Sequence, residues 1–335
     1  MTTKQQHLKR VVCIGGGTGT FVALRGLKQH PLSLSAIVTM SDSGGSNRRI
    51  RDEFGLLPTS DIRQCLVALS DESGGIGILR KLFMYRFEKG QGIAGMTFGN
   101  LFMAALTDIM GSQEEAIRQT GKVLRIKGAV IPVTLTETNL YATYEDGTTV
   151  GEEHLIDEPT HDGTLKITDI YLKPKATPNP EALNAIMNAD MVVLGPGDLY
   201  TSLLPNLLVP GVSDALKKTK AKVVYVLNLM TKFGQTYNFT ALDHVKTIEG
   251  IIGETVDYVL VNDAPLSKKA LEVYAKYREV PVSDNLPRNS YYRVKTDKLV
   301  SGTIYKKTSS DALIRSLIRH SSDRLAEALA GIIGK

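Results

Sequence analysis

The sequence predicts an α/β protein: a parallel sheet with helices on both faces, interrupted by a β excursion at about residues 128–173. Three observations predict it. Apolar runs at 11–14, 34–40, 191–194, 223–227 and 256–261 read as buried strands. Segments with helical apolar spacing lie between them. The stretch from Gly128 to Leu172 instead holds short β patterns, with Glu145-Asp146-Gly147 as a hairpin turn.

The first element fixes the grammar of the rest. Val11-Val12-Cys13-Ile14 runs directly into Gly15-Gly16-Gly17-Thr18-Gly19-Thr20, and Phe21, Val22, Leu24 and Leu27 then fit a helix burying one face. Glycines let the backbone turn tightly and approach an anion, and the first free N–H groups of the helix point at it. A dinucleotide fingerprint would have glycine at its sixth position, where this chain has Thr20. A phosphate-bearing ligand, a dinucleotide and a tight turn without ligand all remain open at this loop.

The second strand ends in Ser41-Asp42-Ser43-Gly44-Gly45-Ser46, another glycine and hydroxyl loop, with Asn47-Arg48-Arg49 and Arg51 close behind. Pro58-Thr59-Ser60-Asp61 reads as a helix start, and Ser73-Gly74-Gly75 breaks the pattern. Ile78 to Phe87 predicts the next helix, Gly95 to Asn100 opens a third, and Glu114 to Leu124 forms a fourth. Short β patterns follow at 130–134, 140–144, 148–150 and 167–172. One domain is expected, with a core of residues 10–127 and 176–335 and a β insertion at 128–175.

After the insertion the α/β rhythm resumes. Pro180 to Met187 is helical. The strand at 191–194 leads into Gly195-Pro196-Gly197-Asp198-Leu199-Tyr200-Thr201-Ser202, and the strand at 223–227 into Asn228-Leu229-Met230-Thr231. Thr240 to Ile252 is helical, and the last strand leads into Asn262-Asp263-Ala264-Pro265. A single helix from Ser309 to Ile332 would place Arg324 on the apolar face of Leu313, Leu317 and Leu325, so a break at Ser321-Ser322 is expected, with a separate helix from about Asp323.

Composition narrows the function. The chain has 335 residues, 42% hydrophobic and 22% charged, as in an ordinary globular protein with room for a sizeable core. The net charge of +5 favours either solubility or anionic ligands, and no aromatic-interleaved basic stripe points to nucleic acid. Cys13 and Cys65 read as buried small hydrophobes in a reducing compartment. No leader or spanning segment is apparent, so a cytoplasmic location is expected. His7, His30, His154 and His161 lack zinc-ligand spacing, and there is no Gly-x-Ser-x-Gly elbow.

In a parallel sheet the five loops after the apolar strands emerge on one edge, where ligands bind at the point at which strand order reverses. That edge is expected to carry a large polar ligand site. Asp42 and Asp61 could hold Mg2+ or position a phosphoryl group, though Asp61 could equally cap its helix. Gly195-Pro196-Gly197 could be turn chemistry alone, but Asp198, Tyr200, Thr201 and Ser202 offer more polar groups than a turn needs. Asp243-His244 could be an acid–base pair, with a structural helical histidine the favoured alternative.

These motifs, in this order, resemble the 2-phospho-L-lactate transferase-like (CofD-like) superfamily, and more closely its bacterial gluconeogenesis-factor (YvcK-like) branch. The matching segments include Gly15 to Gly19, Asp42 to Ser46, Leu57-Pro58 with Asp61-Ile62-Arg63, and Phe98-Gly99-Asn100-Leu101. Gly195-Pro196-Gly197 with Leu199 to Ser202, Pro205-Asn206-Leu207, Asn228 with Met230-Thr231, and Asp243-His244 complete the set. The resemblance implies a Rossmann-like domain with a nucleotide-bearing ligand across the loops. For the branch it implies UDP-sugars, UDP-N-acetylglucosamine in particular, and support of cell shape and wall synthesis during growth on gluconeogenic carbon. For the transferase relatives it implies Mg2+-dependent transfer of a phospholactyl group from a nucleotide-activated donor to a deazaflavin.

The expected ligand-binding residues are Gly16, Gly17, Thr18, Gly19 and Thr20 around phosphate, and Asp42, Ser43, Gly44 and Ser46 at the cleft centre. Asn100, Gly195, Gly197, Asp198, Tyr200, Thr201 and Ser202 line it further, and Asn228, Met230 and Thr231 close the far side. By the resemblance, Tyr274 and Arg319 help hold the UDP-sugar; arginine suits a diphosphate because its planar fork donates parallel hydrogen bonds. Asp42 and Asp61 would be catalytic only in an enzyme. The branch usually has Ala-Asp-Asp where this chain has Ser41-Asp42-Ser43, and Gly-Pro-Gly-Ser where it has Asp198 after Gly197. It commonly has Asp-Pro where this chain has Ser321-Ser322. The expectation is a nucleotide-sugar-binding regulator, with possible protein partners in wall synthesis and a homo-oligomeric state. A CofD-like transferase and an NAD-binding oxidoreductase are the alternatives.

Overall fold

The computed structural model describes residues 8–302 and 317–334. Its main sheet contains β1 (Lys9–Ile14), β2 (Leu32–Val38) and β3 (Ala129–Pro132). A three-stranded antiparallel sheet holds β4 (Asn139–Tyr144), β5 (Thr149–Gly151) and β6 (Ile167–Lys173). The main sheet then continues with β7 (Met191–Leu194), β8 (Lys222–Val226), β9 (Tyr258–Asn262) and β10 (Arg293–Asp297). The strand order β10-β9-β8-β7-β1-β2-β3 is parallel throughout. The chain therefore builds outward from β1 in one direction, returns at β7, and builds outward in the other.

Helices cover both faces. On one side lie α1 (Gly17–Leu27), α3 (Ser60–Leu69), α5 (Phe98–Met110) and α6 (Gln113–Val123), which α2 (Gly45–Phe54) and α4 (Gly74–Met84) flank, together with a C-terminal helix, Ser322–Ile333. On the other lie α8 (Pro180–Met187), α10 (Val212–Lys218) and α11 (Ala241–Ile252) with the antiparallel sheet. α7 (Glu153–Asp157) links β5 towards β6, and α9 (Leu204–Leu207) follows a π-type turn over Leu199–Leu203. The pleat of β1 shows why: Val11 and Cys13 join the first core, Val12 and Ile14 the second, and all four are buried.

Several boundaries differ from the sequence reading. The pattern at 130–134 belongs to the main sheet, because β3 pairs with β2, so the excursion proper begins after it. The glycine and hydroxyl loop after β2 is short: α2 already starts at Gly45 and carries the positive charges on its surface. Gly74 opens α4 rather than breaking a pattern. A helix at Lys268–Ala275 and the edge strand β10 carry weak apolar patterns that the sequence did not reveal. The C-terminal break lies where expected: Ser321 caps a helix that starts at Ser322. The expected element before it falls largely outside the described residues.

Candidate functional site

The loops after β1 and β7 meet where strand order reverses. The N–H of Gly15 donates to Ile37 (3.1 Å) and that of Gly195 to Ile14 (2.9 Å), so both loops leave the sheet in register. A Cβ on Gly19 would overlap the Pro196 carbonyl, so glycine there lets the two loops touch. Gly17 takes a left-handed φ of +62°, and the space beside it faces Ser202 Oγ and Asp61 Oδ1, each 3.9 Å from where a Cβ would stand. Thr18 and Gly19 are half-buried, whereas Thr20 is fully buried and its hydroxyl has no partner among the described residues.

Asp61 is not the cap of its own helix. Thr59 holds that position in α3, and the Asp61 carboxyl instead accepts the N–H of Gly17 at the start of α1. Burial and repulsion from Asp42 push it up to about 7 against that bond.

The loop after β2 is held from two sides. Asp42 accepts the Gly44 N–H (2.9 Å) and the Asn47 amide (2.5 Å). Ser43 is buried and its hydroxyl pairs with His154 Nδ1 at 2.9 Å while accepting the His154 N–H at 3.2 Å. Beside it, the Glu153 side chain hydrogen-bonds to Asp42. Burial raises the pKa of both groups, and the charge of neighbouring carboxylates raises each further. Position 43, where the branch usually has Asp, is Ser here, and α7 brings the Glu153 carboxyl to Asp42.

Asp198 has a cation beside it. Lys232 Nζ donates to Asp198 at 2.6 Å and also to Asp157, which accepts from Gln235 (3.0 Å) and from the buried Thr201 hydroxyl (3.3 Å). Burial works against the ammonium, but the two carboxylates outweigh it and raise its pKa. Tyr200 is buried against Phe239, and Ser202 is half-buried at the cleft.

A relay runs behind the cleft floor. The Asn47 oxygen accepts from the Ser60 N–H (3.2 Å) and hydroxyl (2.8 Å). The Asn100 amide donates to Ser60 and Ser46 (3.2 Å each), and the Asn100 oxygen accepts from Arg63 Nε at 3.0 Å. Asn100 and Ser46 are buried, so both stand in the wall.

On the far side, Asn228 donates to the Gly197 carbonyl (2.7 Å), tying the β8 loop to the β7 loop. Thr231 is buried and exchanges bonds with Val280, and Met230 bridges to Pro281. Tyr274 is buried, and its hydroxyl accepts the N–H groups of Leu317 (3.2 Å) and Ile318 (3.3 Å), just before Arg319. The buried His320 ring bonds to the Leu227 backbone and burial lowers it to about 4. Asp243 and His244 read as structural: Asp243 closes the capping box of α11, and the buried His244 ring bonds to the Thr240 carbonyl at 2.9 Å.

The structure thus brings the loops of residues 15–20, 41–46, 195–202 and 228–231 to one edge. Sequence reasoning did not assign Glu153, His154, Asp157, Lys232 or Arg63. Arg63 and Lys232 had a signal, since Arg63 ends the matching segment Asp61-Ile62-Arg63 and Lys232 adjoins Thr231; the acids of α7 had none. Among the described residues no group of three or more His, Cys, Asp or Glu is placed to hold a metal ion. Among the described residues no helix is long and apolar enough to cross a membrane.

A family model, 2-phospho-L-lactate transferase CofD, matches residues 11–300. The gluconeogenesis factor of Halalkalibacterium halodurans is 41% identical over 326 residues, covering 96% of this chain and 95% of that protein. The gluconeogenesis factor of Bacillus subtilis is 37% identical over 328 residues, covering 97% and 98%. An X-ray structure of a Bacillus halodurans protein aligns with a TM-score of 0.86 at 39% identity, covering 96% of this chain and 99% of that one.

Proposed function

The chain belongs to the CofD family, and from that premise we propose that it is a gluconeogenesis factor whose switch-point cleft binds a nucleotide-sugar of the UDP-N-acetylglucosamine type. The observation that carries the reading is the meeting of the β1 and β7 loops over the first turn of α1. A diphosphate set against Gly17 to Gly19, with Asp61 displaced from the Gly17 N–H or protonated, receives the N–H groups of that turn and the positive end of the helix dipole. The sugar then lies towards Ser202 and Asn228, and Arg319 closes over the diphosphate. Lys232 offsets the charge of Asp198, which would otherwise repel the ligand. The same reading carries a regulatory role in wall synthesis and cell shape and a cytoplasmic location. Thermal melting with UDP-N-acetylglucosamine, UMP, NAD and GDP tests the ligand. A ligand at a hundredfold excess over Kd stabilises by about 2.7 kcal/mol, a shift of a few degrees. A shift with NAD or GDP but with no UDP-sugar overturns the assignment.

A second reading, a CofD-like transferase, is favoured by the buried Asp42 and Glu153 carboxyls near Asp61. Mg2+ at a ligand diphosphate would need only one or two protein carboxylates, and Asp42 and Asp61 would be the residues to hold it. Such an ion would supply charge neutralisation at the phosphates. Turnover of activated phospholactate with a deazaflavin at about 1 per second or faster would decide for the enzyme.

A further inference from the structure

Two guanidinium groups flank the start of α5, and neither is within salt-bridge distance of a carboxylate among the described residues. Arg63 is 4% exposed, and its Cδ lies 2.6 Å from where a Cβ on Gly99 would stand, so the side chain crosses the first turn of that helix. Its Nε bonds to Asn100 and its Nη1 contacts Met84 sulfur at 2.9 Å, while Nη2 has no partner among the described residues. Arg86 pairs through its backbone with Thr97, the cap of α5, and among the described residues its own guanidinium reaches only the Gly95 carbonyl (2.6 Å). Neither forms a salt bridge among the described residues.

Three unfavourable conditions coincide here. A cation is buried, it stands beside a second cation, and both stand at the positive end of a helix. Burial and repulsion from Arg86 together bring Arg63 down to about 10, even with Asp61 and Asp42 acting on it in the opposite direction across the relay. Of the first N–H groups of α5, that of Phe98 goes to the Tyr85 carbonyl and that of Asn100 to the Thr97 hydroxyl, which leaves Gly99's. A dianion relieves every one of these costs at once. A carboxylate brings one charge, whereas a phosphoryl group brings about two and three acceptor oxygens, which matches two guanidiniums and a free N–H.

We propose that Arg63, Arg86 and the first turn of α5 form a second anion pocket, which takes a phosphoryl group separate from the diphosphate at α1. It rests on the reading of the edge as a ligand cleft and adds a phosphorylated small molecule, a cosubstrate or effector, as its second occupant. Ser46 and Ser60 hold the Asn100 amide that aims Arg63, and so position the pocket without closing it.

The probe is inorganic phosphate, titrated calorimetrically and by thermal melting against sodium chloride of equal ionic strength. Wild type should bind phosphate and melt several degrees higher with it than with chloride. Arg86→Gln removes a half-buried side chain with one hydrogen bond, so it should fold normally and weaken phosphate about tenfold. Arg63→Met should abolish the phosphate shift and, without phosphate, melt no lower than Arg63→Lys. Gly17→Ala, at the other anion site, should keep phosphate binding. No phosphate-specific shift in wild type overturns the proposal. So does unchanged phosphate affinity in Arg86→Gln, which decides the matter if the Arg63 variants fail to fold. Loss of phosphate binding in Gly17→Ala alone assigns the phosphate to α1 and also overturns it. Failure of UDP-N-acetylglucosamine to bind, with an Arg86-dependent phosphate site intact, sinks the nucleotide-sugar reading and leaves this pocket standing.

Discussion

The carboxyl of Asp61 accepts the N–H of Gly17, so the positive end of α1 is held by a side chain of the protein itself. The contact is close enough that a Cβ on Gly16 would overlap the same carboxylate. Asp61 therefore stands where a phosphate oxygen would be received. A ligand phosphate must displace it, meet it protonated, or share a cation with it.

The pH dependence follows from that position. With its pKa raised to about 7, Asp61 keeps in the folded state a proton that the unfolded chain releases near 3.9. Its contribution to stability is full below about pH 4 and is lost as pH rises through 7, at up to roughly 1.4 kcal/mol per unit. Asp42 and Glu153, also raised, act with the same sign. Asp61→Asn should flatten the Tm-against-pH curve between pH 5 and 8 and melt above wild type at pH 8. A variant curve parallel to wild type places the titration elsewhere.

Nucleotide binding should show the same group. The diphosphate of a UDP-sugar keeps its charge across this range, so affinity without divalent cation should rise about tenfold from pH 8 to pH 6 as Asp61 protonates. Asp61→Asn should bind at pH 8 as wild type does at pH 6. Calorimetry at the two pH values measures it; equal wild-type affinities refute the displacement argument.

The Lys232 ion pairs predict a coupled pair of substitutions. Lys232→Met leaves Asp157 and Asp198 facing each other without their cation, at a cost of about 3–5 kcal/mol. Adding Asp198→Asn should recover at least ~1 kcal/mol of that. Denaturant melts of the two singles and the double give the coupling energy; strict additivity would mean that the ammonium does not bind Asp198 in solution.

The glycines of the first loop should separate. Gly19→Ala drives a Cβ into the Pro196 carbonyl, a backbone atom that cannot step aside, and should destabilise by several kcal/mol (roughly 2–4). Gly17→Ala meets Asp61 and Ser202 only at ordinary contact distance (3.9 Å each) and costs only its left-handed φ, about 1–2 kcal/mol. Its methyl should still weaken UDP-N-acetylglucosamine, because it faces Ser202 and the cleft. Similar melting of the two variants would mean that the β1 and β7 loops do not touch.

Tyr274 should act on the ligand through Arg319. Tyr274→Phe removes the acceptor of two N–H groups beside Arg319 and should cost about 1–3 kcal/mol. Arg319→Ala should melt near wild type yet lose most of the UDP-sugar shift, since a charge-assisted contact to diphosphate is worth roughly 1.5–3 kcal/mol. An undiminished shift in Arg319→Ala removes that residue from the site.

Legibility followed the range of the interactions. The turn after β1, the Gly195-Pro196-Gly197 turn, the α11 start at Thr240 and the break at Ser321 are local matters of apolar period, turn residues and caps, and the sequence by itself determined them. It also determined that five loops share one edge, because continuous apolar strands separated by helices imply a parallel sheet. What lies at that edge was decided only by tertiary structure. Lys232 meets Asp157 across 75 residues and Asp198 across 34, and His154 meets Ser43 across 111. Asp61 read equally as a helix cap and as a Mg2+ or phosphoryl group's partner until the fold carried it to Gly17, and β3 looked like part of the excursion until it paired with β2. A period or a cap is written in neighbouring residues, whereas the charge a carboxylate feels depends on which groups the completed sheet and the α7 insertion place within a few ångströms of it, and no local pattern records that distance.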